Sequence, residues 1–194
     1  MNIGIDIDDT IAKTSEETDI WAKEYTEKVL KRKFKLNKTK IIDPMWAKHL
    51  YNWTVEEDKI FWDLYYEKIM ESVKPKEDAI EVINNLSKNN QIFIITARWD
   101  RDSGIISQIT KKWLEKNKIN YNKLFLGHLD KRKIVKDNNI ELFIDDSIKT
   151  CMQISDMNIK TLIMNSRING DLEENKIERV FSWNDIANKL QEVS

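Results

Sequence analysis

At 194 residues the chain has room for one domain, or for one domain with a modest insertion. Hydrophobic residues make up 41% and charged residues 34%, enough apolar material for a core under a heavily charged surface. A formal net charge of −1 gives no electrostatic reason to expect a nucleic-acid polymer or a membrane as partner, and Lys31-Arg32-Lys33, set among acidic neighbours, reads as a solvated face.

The chain opens on Asn2 to Ile7, where Ile3, Ile5 and Ile7 alternate with smaller or polar residues in a strand pattern. No signal peptide is expected in this opening, whose apolar residues alternate and run straight into three aspartates. From residue 14 to residue 73 the pattern becomes helical. Ser15-Glu16-Glu17-Thr18 can start a helix carrying Ile20, Trp21, Tyr25, Val29 and Leu30 on one face. Asp43-Pro44 interrupts it. Thr54-Val55-Glu56-Glu57 predicts a capping box for a second helix, with Ile60, Phe61, Leu64, Tyr65 and Ile69 facing a core. Trp46 and Trp53 fall in a loop-like stretch beside His49.

Beyond Pro75 strands and helices alternate. A helix over about 77–88 leads into Ile92-Phe93-Ile94-Ile95, an apolar run of buried-strand type. A helix over about 104–116, a short strand Leu124-Phe125-Leu126 and a helix around Ile134 follow. The strand Glu141-Leu142-Phe143-Ile144, a helix near Met152, the strand Thr161-Leu162-Ile163-Met164, a late strand near Val180 and a closing helix from Ser182 complete the chain. This alternation predicts an α/β fold with a mostly parallel sheet flanked by helices. The expected organisation is a core over 1–13 and 74–194, with a helical subdomain over 14–73 inserted after the first strand. The lone cysteine, Cys151, rules out an intrachain disulfide and fits a reducing compartment. No apolar run approaches the ~20 residues of a membrane span, so a cytoplasmic location is expected.

In open parallel sheets ligands bind beyond the carboxyl ends of the strands. Here those ends carry Asp6-Ile7-Asp8-Asp9-Thr10, Thr96-Ala97-Arg98 and Asp145-Asp146-Ser147. Each segment alone is as easily a turn or a helix cap; all three at strand ends point to a site. Asp6 and Asp8, two residues apart, share a side while the strand persists. Converging carboxylates repel by about 4 kcal/mol per pair at 4 Å and an effective dielectric near 20. Such a cluster takes up protons or binds a cation, and an all-oxygen set suits Mg²⁺. Asp6, Asp8, Thr10 and Glu17 also fall at the spacing of a calcium loop, but that loop needs glycine where Ile11 stands.

These segments resemble the motifs of the haloacid dehalogenase (HAD) superfamily, in the same order along the whole chain. The nearest branch is the 5'(3')-deoxyribonucleotidase-like one, through Ile95-Thr96-Ala97-Arg98, Lys112-Trp113-Leu114-Glu115-Lys116 and Phe143-Ile144-Asp145-Asp146-Ser147. The resemblance implies a HAD-like Rossmannoid core, a small helical cap over 14–73 and a Mg²⁺-dependent phosphomonoester hydrolase. Its substrate would be a small phosphorylated metabolite, in that branch a (deoxy)nucleoside monophosphate; a sugar phosphate and a non-catalytic phosphate-binding role are the alternatives. Asp6 would be the nucleophile, and Asp8 the general acid and base, its neighbouring carboxylates raising its pKa. Mg²⁺ would be held by Asp6, the Asp8 carbonyl and Asp145, with Asp146 a ligand through water or a support. Phosphate would meet Thr96, the backbone N–H groups of Ala97, Asp9 and Thr10, and a lysine, Lys131 or its competitor Lys133. Arg98 lies close enough in sequence to reach that phosphate, and could equally clamp an acidic helix terminus. Asp9 stands where many relatives have glycine, a departure that bears on the loop's geometry. Aromatic residues of the insert, Trp46 and Trp53 foremost, would stack on a base. His49, His128, Trp99 and Trp113 are assigned surface or packing roles.

Overall fold

The computed structural model describes residues 1–37, 46–100, 103–167, 169 and 177–191, with the side chains of Trp46 and Gln191 outside the description. Six parallel strands form one sheet in the order β3-β2-β1-β4-β5-β6. The strands are β1 (Asn2–Ile5), β2 (Gln91–Ile95), β3 (Lys123–Phe125), β4 (Leu142–Asp145), β5 (Lys160–Met164) and β6 (Glu178–Val180). β1 lies at the centre, paired with β2 on one side and β4 on the other, so the strand order reverses direction there. At such a switch point the loops leaving neighbouring strands diverge and open a crevice.

β2 and β4 are covered on both faces, which is why they read as continuous apolar runs. Ile3, Ile5, Ile92, Ile94, Leu142 and Ile144 face one way, toward α4 (Ala79–Leu86), α5 (Ile105–Lys116) and α8 (Trp183–Gln191). Phe93, Ile95 and Phe143 face the other, against α6 (Arg132–Asp137) and α7 (Ile148–Ser155). Gly4 is required by this packing: a Cβ there would stand 2.8 Å from Phe143 Cδ2. Each element expected from the sequence after residue 74 is present, within a few residues of the expected bounds.

Between β1 and β2 lie α1 (Thr14–Glu24), one π-helical segment (Tyr25–Val29), α2 (Trp46–Tyr51) and α3 (Val55–Ser72). The capping box of α3 is formed as expected. Glu57 N–H donates to Thr54 Oγ1 at 3.2 Å and Thr54 N–H to Glu57 Oε2 at 2.9 Å. Tyr25, Tyr51, Trp53, Phe61 and Tyr65 pack with Ile69, and with Ile106 and Ile109 of α5, into a separate aromatic cluster.

The sequence pattern misplaces two helix faces. Ile20 and Val29 of the first helical segment, and Ile60 and Leu64 of α3, are exposed. α3 touches its neighbours through Phe61, Tyr65 and Ile69, and its next stripe, Trp62, Tyr66 and Met70, turns toward the sheet's carboxyl edge. Periodicity locates an apolar stripe but not the neighbour that selects it. Trp53 does not lie in a loop open to substrate. It is buried, with its ring centroid 4.7 Å from those of Tyr51 and Phe61 and its indole N–H donating to Thr26 Oγ1 at 3.1 Å. Residue 46 begins α2, a helix rather than a loop, and its side chain is outside the described residues. Trp53→Ala should lower stability by about 3 kcal/mol or more in urea denaturation, as loss of a buried aromatic does; a change below about 1 kcal/mol would contradict this placement.

Candidate active site

β1 stops at Ile5, but Asp6 N–H continues the ladder by donating to Ile144 O at 2.9 Å. That bond holds Asp6 beside the end of β4, where Asp145 and Asp146 emerge. One carboxylate oxygen from each of Asp6, Asp145 and Asp146 lies within 4.8 Å of the others, and all three residues are buried. Lys131, at the start of α6, reaches into the cluster: its Nζ donates to Asp6 Oδ1 at 2.5 Å and Asp145 Oδ2 at 2.7 Å. Burial would favour a neutral amine, but the two carboxylates outweigh it and hold Lys131 protonated. Lys133, by contrast, is exposed and pairs with Asp137. Asp145 is further fixed by Ser147 N–H, which donates to its Oδ1 at 2.7 Å.

The carboxylates differ in proton affinity. Burial, helped by the charges of Asp145 and Asp8, pushes Asp6 up to about 7 against the pull of Lys131. Burial and the neighbouring Asp9, Asp145 and Asp6 raise Asp146 well above the carboxylate range. Asp8 goes the opposite way from the sequence expectation. Burial would raise it, but Arg98 outweighs burial and holds it below its ordinary value. Its guanidinium forks the Asp8 carboxylate through Nε and NH2, and Thr14 Oγ1 donates to Asp8 Oδ1 at 2.7 Å. A partner ninety positions away in sequence is not readable from the local run of aspartates.

Asp9 adopts φ 54°, the left-handed conformation that glycine favours and that aspartate tolerates better than most residues. Its buried carboxylate accepts from Ser15 N–H at 2.8 Å and from the Ser15 hydroxyl, tying the turn to the first turn of α1. Thr10 is not presented to a ligand as expected. Its N–H donates to Ile7 O at 3.2 Å within the tight turn, its carbonyl accepts from Trp183 Nε1, and its side chain is buried.

A cavity of about 300 Å³ opens above the cluster. Asp6, Asp8, Asp9, Ala97, Lys131, Asp145 and Asp146 line its floor, and Trp62, Tyr66 and Met70 of α3 form a wall. Thr96 lies directly under Ala97 in the chain and is fully buried; its Oγ1 accepts from Arg98 N–H at 3.2 Å, leaving its own hydrogen for another partner. The spacing of four along α3 could have exposed Trp62, Tyr66 and Met70 as one stripe, and sequence reasoning missed Tyr66, Met70, Leu129 and Thr14 as parts of the site. Trp99, expected to pack, is 60% exposed, its N–H donating to Tyr66 Oη across to α3. Trp113 is buried as expected, while His49 and His128 are exposed.

Fold and site together define a hydrolase of the HAD class. The parallel order around β1, the aspartates after it, the Asp145-Asp146 pair at the end of β4 and the lysine bridging Asp6 to Asp145 are its frame. Comparison with known proteins narrows this. Residues 1–193 match the family described as 5' nucleotidase, deoxy (pyrimidine), cytosolic type C protein, and the chain belongs to that family. It is a phosphatase of the nucleotidase kind. A nucleotidase of Clostridium acetobutylicum is 31% identical over 188 residues, spanning 96% of this chain and 91% of that protein. A haloacid dehalogenase-like hydrolase of Streptococcus pneumoniae superposes with a TM-score of 0.68 at 15% identity, over 98% of each chain. A Bacillus subtilis protein assigned to the HAD-hydrolases, solved bound to magnesium, does so with a TM-score of 0.64 at 15% identity, over 97% of each chain. Among the described residues no helix is long and apolar enough to cross a membrane.

Raised carboxylates bind protons near neutrality, and a divalent cation entering the cluster must displace them. Titrating Mg²⁺ into metal-free protein at pH 7 should therefore release protons, seen as a heat that depends on the buffer's ionisation enthalpy. Release should shrink above pH 8, where Asp6, at about 7, is already ionised. Buffer-independent heats at pH 7 would contradict the assignment.

Proposed function

We propose that the chain hydrolyses the phosphate monoester of a nucleoside monophosphate by transferring the phosphoryl group to Asp6 and then to water. The observation that carries this reading is the Asp6–Lys131–Asp145 bridge on the floor of a cavity walled by Trp62 and Tyr66. In the first half-reaction Asp6 attacks phosphorus as the bond to the nucleoside oxygen breaks, and that oxygen leaves with a proton relayed from solvent by Asp8. Lys131 steadies both the attacking carboxylate and the incoming phosphoryl oxygens. The Thr96 hydroxyl, whose hydrogen has no partner among the described residues, and the Ala97 N–H would hold the same oxygens. In the second half-reaction Asp8 takes a proton from the attacking water. Its ionised, hydrogen-bonded form is suited to that step.

The residues fit a bound Mg²⁺. The donor set is all oxygen, three carboxylates converge within 4.8 Å, and two of them hold protons that a cation would replace. Asp6, Asp145 and the Asp8 carbonyl would hold it, with Asp146 beside them, and when bound it would offset the repulsion between Asp6 and the phosphate dianion. The Bacillus subtilis relative with magnesium bound supports the choice of metal.

Residues 14–73 serve as the cap that selects the substrate. Trp62 and Tyr66, half-buried and lining the cavity, take the stacking role that the sequence assigns to Trp46 and Trp53. A base stacked there would lie above the phosphate site, and the family's nucleotidase members agree with that class of substrate. The compact cavity also admits a smaller sugar phosphate, which is the competing substrate class.

A phosphate-release screen over nucleoside monophosphates, sugar phosphates and an aryl phosphate, with Mg²⁺ and with chelator, tests the reading. Deoxynucleotide preference and loss of turnover with chelator are expected; indifference to chelator would contradict it. Asp6→Asn should reduce phosphate release by about 10³-fold or more while the circular dichroism spectrum is kept, and an unfolded variant would make Asp6 structural. Trp62→Ala should raise KM for a nucleotide at least about fivefold more than for an aryl phosphate, if stacking is worth about 1 kcal/mol or more.

A further inference from the structure

Arg98 follows Thr96 closely, and a phosphate contact is the natural expectation for a cation at that place. Its geometry differs. The Arg98 side chain is 1% exposed and is not among the residues lining the cavity. Its guanidinium lies between Asp8 and the ring of Trp113, 5.6 Å from that ring's centroid. Trp113 in turn is anchored by its indole N–H, which donates to Val73 O at 2.7 Å. The arginine's backbone is equally fixed: its N–H donates to Thr96 Oγ1 at 3.2 Å and its carbonyl accepts from Gly127 N–H at 2.8 Å.

The fork on Asp8 is asymmetric. Oδ1 accepts from Arg98 Nε at 3.2 Å, from Arg98 NH2 at 2.8 Å and from Thr14 Oγ1 at 2.7 Å. Among the described residues Oδ2 accepts only from Arg98 Nε, at 3.0 Å. One oxygen is saturated by donors and the other retains most of its accepting capacity, while the Asp8 side chain remains 31% exposed at the cavity floor. A planar fork imposes such an orientation; a single ammonium does not.

We propose that Arg98 is a positioning residue that acts through Asp8, fixing the carboxylate's rotation so that Oδ2 is the oxygen that relays a proton from solvent to the leaving group and later takes one from the attacking water. It does not touch the phosphate. The proposal rests on the phosphatase reading of this site. Proton transfer to a departing oxygen is needed most when that oxygen is a poor leaving group, as in an alkyl or nucleoside ester. It is needed least for p-nitrophenolate. Misorienting Asp8 should therefore cost the two substrates unequally, which loss of a phosphate ligand would not.

The test compares kcat/KM, which reports steps up to formation of the phosphoryl-enzyme, for a nucleoside monophosphate and for p-nitrophenyl phosphate. Arg98→Met should lower it about 10²-fold for the nucleotide, the low end of what a positioned acid contributes, and at least about tenfold less for the aryl ester. Arg98→Lys, which keeps the charge without the fork, should show the same inequality, and inhibition by inorganic phosphate should be unchanged in both. In an Asp8→Asn background Arg98→Met should have little further effect. Equal losses on the two substrates, or weakened phosphate inhibition, would make Arg98 a ligand of the phosphate and overturn the proposal alone. Failure of both single variants to fold would assign Arg98 to stability and overturn it too. A wild-type protein inert toward both substrates would instead overturn the phosphatase reading beneath it.

Discussion

Asp6, Asp145 and Asp146 are buried together at one edge of the sheet, and their mutual repulsion is the constraint on which the rest of the site depends. Two adjacent parallel strands, β1 and β4, deliver them to the same place because Asp6 N–H is still bonded to the β4 backbone when the strand itself has ended. Left unrelieved, a pair of charges at such a distance would cost several kcal/mol. Two reliefs are visible. Lys131 supplies a buried positive charge between Asp6 and Asp145, and Asp146 is driven toward its neutral form. In the proposed function both reliefs would also serve the reaction, Lys131 beside the nucleophile and Asp146 by giving up its proton to an entering cation.

A second electrostatic unit stands beside the first. Arg98, buried, pairs with the partly exposed Asp8 and holds that carboxylate in a set orientation. In the proposed reaction the two units divide the work: Lys131 would serve the nucleophile and the phosphate, and Arg98 the proton carrier. α3 joins them to the helical insert through Trp62, Tyr66 and Met70, while Arg167, beyond β5, pairs with Asp19 of α1 at 2.6 Å on that insert. The insert is thus tied to the core on more than one side.

Much of this was legible in the sequence. The order of strands and the polar residues at their ends follow from short apolar runs closed by aspartate, threonine and serine, and those runs are local. Lys131 could be narrowed only to itself or Lys133, because a helix of six residues carries too little periodicity to say which lysine faces inward. The partner of Asp8 was not legible at all: Arg98 is far away in the chain, and the expected influence of nearby carboxylates had the opposite sign. Helix faces in the insert were misread for a related reason. Phe61 and Trp62 are adjacent in sequence, yet one belongs to the aromatic cluster and the other to the cavity wall, a division set by α1, α5 and the sheet edge rather than by α3 itself.

The central claim is that the phosphoryl group passes through Asp6. Acid quench during turnover, followed by borohydride reduction and peptide mass spectrometry, reads it directly, because an acyl phosphate is reduced to the alcohol at the residue that carried it. The expected result is homoserine at position 6, dependent on substrate and absent from Asp6→Asn. Reduction at another aspartate, or steady phosphate release with no reducible acyl phosphate at all, would contradict the account.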